Sequence, residues 1–167
     1  LIDNLPATIY VKNFEARKII ANKTELEFTG FKNENEILGK TDIETWDEEI
    51  GRRGYEDDLQ VMQSGVPILN KEEEFIDVHL NRRFLITSKI PIYDHAGKVN
   101  GLVGIGHDIT EQKKSFETIQ KLSKSIEQSP STIVITDIQG NIEYVNPKFC
   151  EITGYPAEEA IGQNPRI

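Results

Sequence analysis

Residues 1–31 of this chain recur without a gap at residues 125–155, an offset of 124 positions. Under that register Ile2, Pro6, Thr8, Ile9, Asn22, Glu27, Thr29 and Gly30 meet identical residues at Ile126, Pro130, Thr132, Ile133, Asn146, Glu151, Thr153 and Gly154. Ordinary amino-acid frequencies would match only about two positions in a window of this length. Solenoid repeats have periods of roughly 20–50 residues, so this unit is too long for one. It has the size of a small independent domain, and the chain reads as tandem copies of one domain, the second cut short.

The hairpin at the head of each copy is the first element the repeat predicts. Ala7 to Val11 and Ser131 to Ile135 are β-branched or aromatic, each is followed by a turn, and short strands then run near Arg17 to Ala21 and Ile142 to Val145. Asn22 and Asn146 stand where a side-chain oxygen caps the next helix, and Gly30 and Gly154 where glycine ends it. Helical turns are expected around Glu34 to Leu38 and Tyr55 to Ser64. From Glu72 the spacing changes to period two, which predicts strands over Glu74 to Leu80, Phe84 to Tyr93 and Lys98 to Ile109. Two strands, short helices and three strands define an α+β domain with a five-stranded antiparallel sheet over residues 1–109. Residues 110–128 lack Gly and Pro and predict a linker helix, and 129–167 hold the first half of the second copy.

In that order and spacing these segments resemble the PAS family of sensor domains, in the tandem sensory-box arrangement of prokaryotic signalling proteins. Copy two carries the run Asp137 to Pro147, then Phe149, Thr153-Gly154-Tyr155 and Glu158 to Gly162. Copy one closes with Pro91 to Asp94, Gly97, Gly101, Val103-Gly104 and the triplet Asp108-Ile109-Thr110, similar to the family's junction between last strand and output helix.

Within the family's sheet, Leu85, Thr87, Lys89, Leu102, Gly104 and Gly106 would face inward around a small pocket bordered also by Tyr10, Trp46 and Met62, with Phe84, Ile86, Val103 and Ile105 on the outer face. An inward Lys89 implies an anionic ligand or a side chain snorkelling to the strand end. The resemblance disfavours two cofactors. The flavin photosensors use a Gly-x-Asn-Cys-Arg thiol, where this chain reads Gly162-Gln163-Asn164-Pro165-Arg166. Haem-binding relatives place a His on the helix that here spans Tyr55 to Ser64, which has none. The ligand itself is left unknown.

Catalytic signatures are not found. Gly101 to Gly106 sits in a strand pattern rather than at a phosphate-binding turn, and one cysteine cannot build a thiolate zinc site. His79, His95 and His107 fall on strand edges or turns and read as ordinary surface or packing residues rather than metal ligands or phosphoacceptors. The acidic runs 47–49, 56–58 and 72–74 read as solvated faces. A net charge of −9 opposes nucleic acid and acidic membranes as partners. With its lone Cys150 and no apolar run of membrane-spanning length, the chain is expected in the cytoplasm, as a piece of a longer protein since it opens on Leu1.

The expected function is a sensory and dimerisation module, most simply of a sensor histidine kinase. The alternatives are a diguanylate cyclase or phosphodiesterase, or a ligandless spacer. Asp108, Ile109 and Thr110 would join sheet to linker, with Thr110 capping the helix and Asp108 pairing with Arg82 or Arg83. Ile109, Phe116, Ile119 and Ile126 share a seven-residue seam completed by Gln112 and Ser123, so the linker would form a parallel homodimer with help from Val103 and Ile105. Copy two, lacking its last three strands, would expose Ile133, Ile135, Tyr144 and Phe149.

Overall fold

In the computed structural model, residues 2–46, 48–77 and 79–165 are described. The chain forms two compact units, Leu1–Glu111 and Gln112–Ile167. The first contains β1 (Thr8–Asn13), β2 (Lys18–Ala21), α1 (Lys23–Thr29), α2 (Glu34–Ile37), α3 (Glu48–Ser64), β3 (Ile68–Ile76), β4 (Arg82–Tyr93) and β5 (Val99–Asp108). Its five strands make one antiparallel sheet in the order β2-β1-β5-β4-β3, the fold class expected from the sequence.

Strand register sets the inner face. Thr8, Gly106 and Thr87 lie in one cross-strand row and Tyr10, Gly104 and Lys89 in the next. A Cβ on Gly104 would stand 2.1 Å from the Tyr10 ring, so the glycine lets that ring lie flat on the sheet.

Two boundaries differ from the sequence reading. β3 begins at Ile68 and ends at Ile76, because Asp77 stops it: its Oδ1 accepts the amides of His79 (2.9 Å) and Asn81 (2.8 Å) and turns the chain. A break in register between Ile68 and Lys71, with Asn70 at φ 52°, hides the strand's start from any period-two pattern. α3 is also longer than its legible half. Gly51 and Gly54 weaken its first turns as helix formers, yet a Cβ on Gly51 would meet the Asp42 carbonyl at 2.6 Å. The glycines let the 3₁₀ turn Asp42–Glu44 seat directly on the helix.

The second unit contains most of α4 (Thr110–Glu127), then β6 (Val134–Thr136), β7 (Ile142–Val145), α5 (Pro147–Thr153) and α6 (Ala157–Ala160). Its small core is Ile142, Val145 and Ala160, with Phe149, Cys150 and Ala157 against it. Val134 and Ile135 are exposed, while Ile133, Tyr144 and Phe149 are half-buried.

The repeat is reproduced bond by bond. Asn22 accepts the amides of Ile9 (2.9 Å) and Glu25 (3.0 Å) and donates to the carbonyls of Ile2 (3.1 Å) and Ala7 (2.8 Å). Asn146 accepts from Ile133 (2.9 Å) and Phe149 (3.1 Å) and donates to Ile126 (3.2 Å) and Ser131 (3.0 Å). Each partner is the other's equivalent at the 124-residue offset. One fully buried amide thus caps a helix and ties it to the strand before it.

Removing it strands several buried groups, so Asn22→Ala should cost about 3 kcal/mol. Trp46 is the chain's one tryptophan and lies in the first unit, so urea unfolding followed by its fluorescence should show the loss. Asn146→Ala should leave that transition in place; equal shifts would mean the two units unfold as one.

Candidate functional site

Six ionisable side chains meet in the interior of the first unit. Lys12 bonds to Asp58 and, at 2.7 Å, to Asp42. Lys18 lies 2.6 Å from Glu25 and 3.4 Å from Asp42. Lys89 donates to Asp58 Oδ1 and to the Gly54 carbonyl, both at 2.7 Å. Three ammonium groups therefore face three carboxylates, all buried. They come from six separate segments: β1, β2, α1, the 3₁₀ turn, α3 and β4. The Tyr10 ring lies beside two of them, its centroid 5.0 Å from Lys12 Nζ and 5.2 Å from Lys18 Nζ.

Asp42, Lys18 and Lys89 keep their charges. Burial alone would raise the Asp42 carboxyl, but Lys12, then Lys18 and Lys89, hold it well below the usual carboxylate range. Burial alone would lower Lys18 and Lys89, and Glu25 and Asp58 respectively hold them above the ordinary lysine value. The Tyr10 phenol is pushed well up by burial and by the carboxylates of Asp58, Asp42 and Glu25, so it remains a neutral hydroxyl.

Against this cluster lies a cavity of about 70 Å³. Tyr10, Trp46, Leu85, Thr87 and Lys89 line it, together with Thr8, Glu25, Asp42, Ile50, Arg53, Gly54, Glu73, Glu74 and Phe75. Trp46 and Phe75 meet edge to face at 5.2 Å and form its apolar side. Thr87 is 5% exposed, and among the described residues its hydroxyl is the buried side-chain polar atom with no partner.

Some expected pocket residues lie elsewhere. Met62 and Leu102 are packed with Val61 and Ala16 in the apolar core, Gly104 is covered by Tyr10, and Gly106 sits beside the Thr8 and Thr87 hydroxyls rather than on the cavity lining. Lys89 neither snorkels nor waits for an anion, because Asp58 already supplies one. Asp58 is itself a correction: read as part of a solvated acidic run, it is fully buried.

Lys12, Lys18, Glu25 and Asp42 escaped the sequence reading, although signals existed. Lys12 follows Thr8 and Tyr10 at period two and so shares their inward face. At the repeat offset Lys18 and Glu25 become Ile142 and Phe149, which pack together in the second unit. Charge at a position that is core in the other copy marks a buried ion pair.

The joint between sheet and α4 differs in detail from the expectation. The Thr110 hydroxyl accepts the Phe84 amide (2.9 Å), and Asp108 Oδ1 accepts the Thr110 amide (2.8 Å). Ile109 donates to the Phe84 carbonyl at 2.9 Å. Arg83 bridges Asp77 (2.8 Å) and Asp108 (3.5 Å), whereas Arg82 pairs with Glu74. Along α4, Phe116 and Ile119 are exposed, as is Leu122, which the seam had omitted; Ile126, Val103 and Ile105 are half-buried.

Two family models, each described as a PAS fold, match residues 2–114 and 120–167. The chain belongs to the PAS family. The aerobic respiration control sensor protein ArcB of Escherichia coli strain K12 is 26% identical over 133 residues, which are 79% of this chain and 17% of ArcB. The PAS domain of BvgS from Bordetella pertussis aligns at a TM-score of 0.56 and 28% identity, over 74% of this chain and 92% of that one. VqmA of Vibrio cholerae shares the PAS fold, with a TM-score of 0.61 at 23% identity over 67% of this chain and 50% of VqmA. The chain thus spans less than a fifth of the length of ArcB, a protein named as a sensor, and nearly the whole of the BvgS PAS domain. No helix among the described residues is long and apolar enough to cross a membrane.

Asp58→Asn leaves Lys12 and Lys89 short of a buried counter-charge and should cost about 3–5 kcal/mol, read from the Trp46 transition. A carboxyl held low in the fold contributes stability above its unfolded value of about 3.9, and the contribution is lost as pH falls below it. The urea midpoint should therefore hold from neutral pH to about 5 and drop below about 4. Asp42→Asn should lower the neutral midpoint and flatten that acid limb.

Proposed function

We propose that the first unit is the ligand-sensing module of a cytoplasmic signal-transduction protein, and that it passes ligand binding through α4 to an output domain, most simply a histidine kinase. The observation that carries this reading is the double duty of β4. Leu85, Thr87 and Lys89 of this strand line the cavity, while the adjoining Phe84 holds both Thr110 and Ile109 at the head of α4. A ligand that favours one position of β4 over another would bias the joint by its difference in affinity for the two. Arg83 of β4 braces the same joint by bridging Asp108, at the end of β5, to Asp77 in the β3–β4 turn.

The output would be read by a second copy of the chain. Phe116, Ile119 and Leu122 leave an apolar stripe on an otherwise charged helix, with Ile126 completing it. Spacings of three and four residues suit a parallel pair of helices, with the outer sheet residues Val103 and Ile105 adding contact. The helix has 18 residues and so supports less than three heptads, which favours an interface weak enough to shift with a signal.

Three measurements test the reading. Phe116→Ser combined with Ile119→Ser should halve the mass seen by light scattering; an unchanged dimer rejects α4 as the interface. In the full-length protein, Asp108→Ala should change basal output more than melting temperature, and the reverse would reduce the joint to a structural brace. Small-molecule extract from the native host should raise the melting temperature reported by Trp46; no active fraction would sink the sensory-ligand proposal.

A further inference from the structure

We propose that the cavity accepts a small uncharged molecule, whose hydrogen-bonding group meets the Thr87 hydroxyl and whose apolar body rests against Trp46, Phe75 and Leu85. This rests on the ligand-sensing reading above and narrows it to a chemical class.

The ionic groups around the cavity are already committed to one another. Lys89 is held by Asp58 and the Gly54 carbonyl, Asp42 by Lys12 and Lys18, and Glu25 by Lys18. Three positive and three negative charges cancel. An anionic ligand would have to compete with Asp58 for Lys89, and a cationic one with two lysines for Asp42. Either would leave a net charge beside the buried ion cluster, and that penalty exceeds the gain from one hydrogen bond. Arg53, Glu73 and Glu74 carry the remaining charges of the lining. Arg53 and Glu74 are exposed, Glu74 pairs with Arg82, and Glu73 is half-buried 4.0 Å from Lys71, so these three lie at the margin and outside the buried cluster. An uncharged ligand meets none of these costs.

What the described residues lack is a partner for the Thr87 hydroxyl. A hydroxyl both donates and accepts, so an amide, lactam or hydroxyl group on a ligand would satisfy it. Gly106 lies opposite Thr87 in the sheet, where a Cβ would stand 2.5 Å from Thr8 Oγ1, so the glycine lets the two threonines share one row under the cavity. The Tyr10 hydroxyl, kept neutral, offers a second polar contact on the same wall. Trp46, Phe75 and Leu85 supply the apolar remainder.

Three probes of one shape and different charge decide the class: benzamide, benzoate and benzylammonium, titrated into the 167-residue chain at pH 7 and followed by ligand-observed NMR. Benzamide should bind about tenfold more tightly than either charged probe. Thr87→Val removes the unpaired hydroxyl at nearly constant shape, so it should raise the melting temperature of the free chain while weakening benzamide about fivefold or more. Thr87→Ser should retain binding. A merely structural threonine would give no such opposition between stability and affinity. Tighter binding of benzoate or benzylammonium overturns the uncharged class and leaves the ligand sensor standing. Benzamide binding indifferent to Thr87→Val, or no binding of any probe, overturns the proposal, while the host-extract experiment separately decides whether the cavity senses a small molecule at all.

Discussion

The first unit is organised around charges that cannot be separated. Lys12, Lys18 and Lys89 on the sheet and Glu25, Asp42 and Asp58 on the helical side are each too costly to bury alone. Together they require that β1, β2, α1, the 3₁₀ turn, α3 and β4 all be in place at once. Much else is fitted to that requirement. Gly51 and Gly54 exist on α3 because the Asp42 turn must lie against it, with a Cβ on Gly54 only 2.7 Å from Asp42 Oδ2. Gly104 is a glycine because Tyr10 must lie flat between the cluster and the sheet.

Such a cluster adds specificity where apolar packing would add only stability. Hydrophobic contacts tolerate sliding; an ammonium between two carboxylates does not. The second copy shows the alternative at the same positions. Ile142 and Phe149 replace the Lys18–Glu25 pair and pack without polar partners. One scaffold has therefore been given a polar interior in one copy and an apolar one in the other, while its Asn-centred frame is identical in both.

The connection from interior to surface is short. Thr87 and Phe84 are three residues apart on β4, so the unpaired hydroxyl of the cavity and the amide that holds Thr110 ride on the same stretch of backbone. A strand is stiff along its length, and its partner β5 runs directly into the joint. The Asp77–Arg83–Asp108 chain of ion pairs ties the neighbouring turn to the same place.

The order of elements, the antiparallel sheet and the two asparagine caps were legible in the sequence, because each depends on a local period or on a repeat that can be aligned by eye, and the inward set Leu85, Thr87 and Lys89 was implied by the resemblance to the PAS family. The boundaries of β3 and α3 were not, since a bulge at Asn70 interrupts one period and the glycines of α3 serve a tertiary contact at the expense of helix propensity. The buried role of Asp58 was out of reach for a different reason. An acidic residue in an acidic run is indistinguishable from a solvated one until its counter-ion is known, and Lys12 and Lys89 lie 46 and 31 residues from Asp58. Periodicity decided which face of each strand Lys12 and Lys89 would occupy; only tertiary folding decided that the carboxylates of α1, α3 and the 3₁₀ turn would be there to meet them, because charge pairing acts through space and carries no signature along the chain.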